Sequence, residues 1–79
     1  MVSIRTIPIA LFRKFLISQG CKLISTKGGH EKWSKLDLKR PLIIPVHGGK
    51  TIHTKVVYTN LNTLKIPKQF LEQWLKENA

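Results

Sequence analysis

The residues best suited to chemistry lie together in the stretch 27–34, which reads Lys-Gly-Gly-His-Glu-Lys-Trp-Ser. Histidine is the side chain most able both to accept and to donate a proton near neutral pH, and His30 supplies one here. Gly28 and Gly29 open backbone conformations that other residues avoid, and they let a ligand approach the main chain closely. The two lysines of the stretch attract anions. This combination predicts a site that faces phosphate.

One reaction that these residues could perform is cleavage of RNA by its own 2′-hydroxyl group. Such cleavage needs a base for the hydroxyl proton, an acid for the leaving oxygen and positive charge near the phosphorus. His30 is the candidate catalytic base. Lys27 and Lys32 are candidates for stabilising the charge that develops on phosphate, and so are the amides of Gly28 and Gly29.

A second glycine pair follows His47, and Lys50 comes directly after it. We predict that His47 and Lys50 contact RNA, and that His53 stands at the entry of a helix. The second proton carrier stays open between His47, His53 and water. The spacing of these two histidines and the lack of an orienting carboxylate argue against zinc, so we predict neither a metal nor a cofactor.

Charge narrows the class of partner. Fourteen Lys and Arg against four Asp and Glu give a net charge of +10, spread along the chain. A basic compact domain of this kind usually meets nucleic acid, an anionic membrane or an acidic protein. Cys21 is the single cysteine, which excludes an internal disulfide. No stretch approaches the roughly 20 apolar residues of a membrane span, nor the apolar core of a signal peptide, so we expect a cytoplasmic protein without a membrane partner.

Seventy-nine residues predict a single domain, residues 1–79, with one modest core. Apolar spacing predicts a helix from Pro8 to Gln19, with Thr6 as its N-cap and Gly20 as its stop. An alternating strand, Cys21–Thr26, follows.

Alternation also predicts which face each side chain takes. In the first strand, one face carries Cys21, Leu23 and Ser25. In the returning strand, one face carries His30, Lys32 and Ser34, and the other carries Glu31, Trp33 and Lys35.

The second half of the chain predicts one more strand, Leu42–Val46, and two helices. The first helix has Thr54 as a possible N-cap, although the β-branched residues that follow weaken the prediction. The second begins after Pro67. The order α-β-β-β-α-α predicts an α+β fold of two layers, with helices on one face of a three-stranded antiparallel sheet.

The order of these motifs resembles the HicA family of toxins from bacterial toxin–antitoxin pairs. The resemblance runs roughly from Pro8 to Leu75 and is carried by a helix that ends at a glycine and by three motifs. These motifs are Lys27-Gly28-Gly29-His30 with an aromatic three residues on, Ile44-Pro45-Val46-His47-Gly48-Gly49-Lys50, and Leu64-Lys65-Ile66-Pro67 near a helix end.

The resemblance implies a fold similar to a double-stranded-RNA-binding domain and a ribonuclease that cleaves mRNA. It also implies a HicB-type antitoxin, which we expect to be acidic and to cover the active site. The histidine after the glycine turn is catalytic in that family, which implies the same role for His30. Many members carry a second histidine where this chain has Glu31, and strand alternation should aim that carboxylate away from His30.

Two other functions stay open. The chain could be a non-catalytic module that binds double-stranded RNA, or a basic interaction protein that pairs with an acidic partner. Trp33 is expected to serve either in the core or at an interface, and it is our candidate for an aromatic anchor of the partner.

Overall fold

The computed structural model describes residues 3–46 and 49–79 of the chain. A short 3₁₀ helix precedes a helix, three strands and two further helices. Their bounds are Ile4–Thr6 for the 3₁₀ helix, Ile9–Ser18 (α1), Cys21–Lys27 (β1), His30–Lys35 (β2), Leu42–Pro45 (β3), Thr54–Leu64 (α2) and Lys68–Asn78 (α3). The strands form one antiparallel sheet in the order β1-β2-β3. The predicted α+β class and its α-β-β-β-α-α order are confirmed.

The start of α1 differs from the prediction. Pro8 occupies the N-cap position, whereas Thr6 ends the preceding 3₁₀ helix and accepts a hydrogen bond from the Ser3 amide at 3.3 Å. The amide of Ile9, which would otherwise lack a partner in the first turn, donates to the Lys50 carbonyl at 2.9 Å. A main-chain bond therefore does what a capping side chain was expected to do. At the other end Gly20 has φ +87°, as a residue that stops a helix requires.

The start of α2 differs by one residue. His53, and not Thr54, is the N-cap, and its Nδ1 accepts the Lys55 amide at 3.1 Å. The expectation that His53 stands at a helix entry is confirmed. The β-branched stretch is helical in spite of its weak propensity, because Val57 and Leu61 are buried against the rest of the core.

The core lies between the helices and one face of the sheet. Trp33, Leu42 and Ile44 point inward from the strands and are almost fully buried. Phe15 of α1 is fully buried, and its ring stands edge-on to Trp74 with centroids 5.3 Å apart. Packing is therefore one-sided, and the opposite face of the sheet carries exposed side chains. No helix in the described parts of the chain is long and apolar enough to cross a membrane.

A β-bulge changes the predicted faces of β1. The register with β2 shifts between Leu23 and Ser25, so Ile24 is an extra residue and is 55% exposed. As a result Ser25 pairs with Lys32 and lies on the outward face of the sheet. The prediction that Ser25 shares a face with Cys21 and Leu23 was wrong, because regular alternation does not survive a bulge.

Candidate active site

The site is built on the hairpin between β1 and β2. Lys27 pairs with His30, which leaves Gly28 and Gly29 as a two-residue turn with φ values of +57° and +77°. Two successive positive φ angles match the turn that suits the twist of a hairpin, and glycine adopts them without steric cost. The Gly29 carbonyl accepts the Val46 amide at 2.7 Å, which ties the turn to the end of β3.

His30 begins β2 on the outward face, where it is exposed and lies between Lys27 and Pro45 of the neighbouring strands. Its Nδ1 lies 3.2 Å from the carbonyl oxygen of Gly28. A carbonyl oxygen can only accept a hydrogen bond, so Nδ1 is the donor and carries the proton. In the neutral ring the lone pair then resides on Nε2, which is the nitrogen able to take up a proton.

Two lysines share the outward face with His30. Lys27 is its direct cross-strand neighbour, and Lys32 lies two residues further along β2, where it pairs with Ser25 and Ile43. Both lysines are exposed. The structure therefore brings the predicted hairpin residues and Lys32 onto a single surface.

The remaining predicted RNA contacts are placed differently. The carbonyl of Lys50 bonds to the start of α1, and the neighbouring Thr51 forms a bridge with Pro8. Lys50 therefore sits beside the beginning of that helix and outside the sheet. His47 lies outside the described residues, so its role stays a prediction.

Glu31 points to the opposite side of the sheet, as alternation predicts. Its side chain is buried, and its two oxygens accept hydrogen bonds from Arg13 Nε at 3.1 and 2.9 Å. Arg13 Nη2 also bonds to Oε2, and Trp33 Nε1 donates to Oε1 at 3.1 Å. The carboxylate is therefore turned away from the surface that carries His30. Sequence reasoning missed Arg13 as the partner, since the two residues are far apart in the chain.

These contacts shift two pKa values. Burial alone would raise the pKa of Glu31, but the hydrogen bonds from Arg13 and Trp33, together with the Arg13 charge, lower it below its ordinary value. The hydrogen bond to Glu31 raises the pKa of the Arg13 guanidinium against the effect of burial. Both groups are therefore charged near neutral pH.

Trp33 is a core residue. It is 2% exposed and its indole N–H is used by Glu31, so the expectation that it anchors a partner was wrong. The same alternation that turns His30 outward turns Trp33 inward.

The other candidate chemistries find little support in the described parts of the chain. No group of three His, Cys, Asp or Glu side chains is placed to hold a metal ion there. Cys21 is buried, and this burial raises the pKa of its thiol although Lys35 opposes the shift. A protonated, buried thiol is a poor nucleophile.

Fold and geometry thus define a small α+β domain that presents an outward-facing histidine beside a glycine turn. Comparison with protein families adds the identity: the family described as the HicA toxin of bacterial toxin–antitoxin systems matches residues 12–66. The match covers more than half of the chain, which therefore belongs to the HicA toxin family. HicA toxins are mRNA-cleaving ribonucleases, and the family implies a HicB antitoxin as partner. No curated protein and no solved structure matched the chain.

The Arg13–Glu31 pair generates a prediction about stability. Because the pKa of Glu31 is lower in the folded protein, this carboxylate stabilises the fold above its unfolded pKa of about 4.3. That stabilisation is lost as the pH falls through the lower, folded-state pKa. Glu31→Gln removes the titrating group, so the gap in urea midpoint between wild type and variant should narrow from about pH 6 to about pH 3.

Arg13→Met supplies the second half of this test. This variant leaves the buried Glu31 carboxylate with Trp33 as its described donor. Loss of hydrogen bonds to a charged group should lower the free energy of unfolding by about 2–3 kcal/mol near neutral pH. Glu31→Gln should cost less, about 1 kcal/mol, because the amide oxygen still accepts the indole N–H. Glu72→Gln, on the exposed side of α3, is the matched control. An equal difference in urea midpoint between wild type and Glu31→Gln at about pH 6 and at about pH 3 would contradict the proposed link between Glu31 ionisation and stability.

Proposed function

We propose that this toxin cleaves messenger RNA by attack of the RNA's own 2′-hydroxyl, with His30 as the catalytic base. One observation carries the proposal. His30, Lys27 and Lys32 share an exposed face, and the adjacent carboxylate of Glu31 is buried on the other side. A phosphodiester that approaches this face meets a proton acceptor and positive charge, and the carboxylate next to His30 in sequence is kept away from it.

The tautomer of His30 determines which ring nitrogen accepts the proton of the 2′-hydroxyl. The Gly28 carbonyl holds the proton on Nδ1, so Nε2 accepts the proton of the 2′-hydroxyl. The 2′-oxygen then forms a bond to phosphorus, and the bond from phosphorus to the 5′-oxygen breaks. The leaving oxygen receives a proton from water or from a second histidine, for which His47 and His53 are the candidates. The products are a 2′,3′-cyclic phosphate and a 5′-hydroxyl.

Positive charge stabilises the phosphorane in this scheme. Lys27 and Lys32 flank His30 on the same surface, and the amides of Gly28 and Gly29 lie in a turn that a phosphate oxygen can approach closely. His47 and Lys50 are proposed as further RNA contacts. The scheme uses no metal or cofactor, since the attacking hydroxyl belongs to the substrate.

We further propose that an acidic HicB-type antitoxin covers His30 directly. The toxin has a net charge of +10, and opposite charge across an interface mainly accelerates association. Because Trp33 is buried, apolar contacts to the antitoxin must come from exposed residues on the outward face of the sheet, which carries His30. Ile43, 47% exposed beside Lys32, is the candidate.

The first test removes the base. His30→Ala should lower RNA cleavage by about 10²-fold or more and abolish growth arrest, because a general base contributes about 10²–10⁴-fold. The fold should persist, since His30 is exposed. Cleavage of total mRNA and colony counts after induced expression measure the effect, with the urea midpoint as a check on folding.

His53→Asn is the companion variant to His30→Ala. It removes another imidazole but keeps a good N-cap for α2. If His53→Asn cleaves RNA normally, His47 or water protonates the leaving 5′-oxygen. A large loss of cleavage would instead identify His53 as that acid. A His30→Ala protein as toxic as its parent would exclude His30 as the base.

The second test concerns metal dependence. Cleavage should continue in excess EDTA, and the fragments should carry 2′,3′-cyclic phosphate and 5′-hydroxyl ends. Substrate with 2′-O-methyl groups should stay intact, because the attacking oxygen is blocked. Loss of cleavage on chelation that magnesium restores, or 5′-phosphate products, would rule out this mechanism.

The third test concerns occlusion by the antitoxin. In the complex His30 should be protected from diethyl pyrocarbonate, with modification of His30 in the free toxin as the comparison. The association rate should fall about tenfold from low to high salt, while the dissociation rate changes little. If the antitoxin inhibits cleavage while His30 remains fully modifiable, inhibition acts through a change of conformation.

A further inference from the structure

A second basic surface lies beyond Lys32, where β2 leads into the loop before β3. A shallow groove of ≈310 Å³ opens there, and four cationic residues contribute to its lining: Lys32, Lys35, Lys39 and Arg40. No carboxylate contributes to the lining in the described part of the chain. The groove is therefore suited to an extended anion.

The loop that carries two of these cations is held in place. The Leu38 amide donates to the Lys35 carbonyl at 3.0 Å, and Asp37 adopts the left-handed φ of +78° that the turn needs. Leu38 also packs against the hydrophobic core. These contacts position the backbone of Lys39 and Arg40 at the sheet before any ligand arrives, which lowers the entropic cost of binding.

The groove is continuous with the proposed active site. Lys32 belongs to both, because it shares the outward face of β2 with His30 and also lines the groove. From His30 to Ser34, which lines the groove as well, β2 rises by roughly 13 Å. A strand of RNA with one phosphate at His30 thus has a positively charged path for the nucleotides beside it.

We propose that this groove binds the sugar–phosphate backbone of single-stranded RNA next to the phosphate that is cleaved. The proposal rests on the proposed function of His30 and adds the part of the substrate that the protein holds during cleavage. Lys39 and Arg40 contact phosphates, and Ile24, 55% exposed at the bulge of β1, offers a small apolar contact to a sugar or base.

Binding in this groove is mainly electrostatic. Proteins that hold single strands by their bases use exposed aromatic side chains as stacking surfaces. No aromatic residue lines the groove in the described part of the chain, and Trp33 is buried behind the sheet. The groove therefore gives affinity with little sequence preference and with a strong dependence on salt.

The test uses binding alone, so it does not depend on cleavage. The probe is a fluorescent 2′-O-methyl RNA of roughly 12 nucleotides, a length within the range that single-strand-binding domains occupy. The variant is Lys39→Gln/Arg40→Gln. Loss of two phosphate contacts should reduce affinity on the order of tenfold or more and lower the slope of log K against log salt by about 1.4.

Lys68→Gln/Lys76→Gln, on α3, is the matched control because it removes the same net charge from exposed positions outside the groove. It should change affinity by less than about twofold. Lys39→Arg/Arg40→Lys should retain most of the affinity, since contacts to single phosphates need charge more than a particular shape.

Equal losses in the groove and control variants would mean that general charge attracts RNA, and would overturn the assignment. Unchanged RNA affinity in the groove variant with slower antitoxin association would also overturn it and assign the groove to the protein partner. A groove variant that loses affinity as expected, in a toxin whose His30→Ala form cleaves normally, supports the groove while it refutes the proposed catalyst.

Discussion

The buried network around Glu31 fixes the orientation of β2, and the site depends on it. Arg13 from α1 and Trp33 from the same strand both bond to one carboxylate beneath the sheet. A one-residue slip of β2 would place that carboxylate on the surface and His30 in the core. Such a slip would place the negative charge of Glu31 on the face where we propose that phosphate binds, and would move the Trp33 indole out of the core. The ion pair therefore favours the arrangement in which the face that carries His30 is basic.

Much of this fold can be predicted from the sequence because it depends on interactions between residues that are close together in the chain. Two glycines between alternating segments predict the hairpin, and alternation along β2 assigns His30 and Lys32 to one face and Trp33 to the other. The helices follow from apolar spacing and from their flanking glycine and prolines. Each of these features depends on neighbours within a few residues, where propensity and periodicity act.

The features that escaped prediction depend on contacts between distant parts of the chain. Arg13 meets Glu31 only after α1 packs on the sheet, and Ile9 finds its acceptor only in Lys50. The bulge at Ile24 arises from the register between two strands, and regular alternation misplaces Ser25 for that reason. Alternation assigned Trp33 to the face opposite His30, but the full burial of its ring depends on the helices that pack there, and for that reason it cannot anchor a partner.

The two outer strands of the sheet have a consequence for solubility. β1 and β3 both leave one edge unpaired by another strand of the sheet, and such edges tend to recruit further strands from other molecules. β1 carries a bulge and two lysines, Lys22 and Lys27, while β3 is four residues long and ends at Pro45. Each device discourages edge-to-edge aggregation. We therefore expect the free protein to stay dispersed in solution although its basic face is exposed.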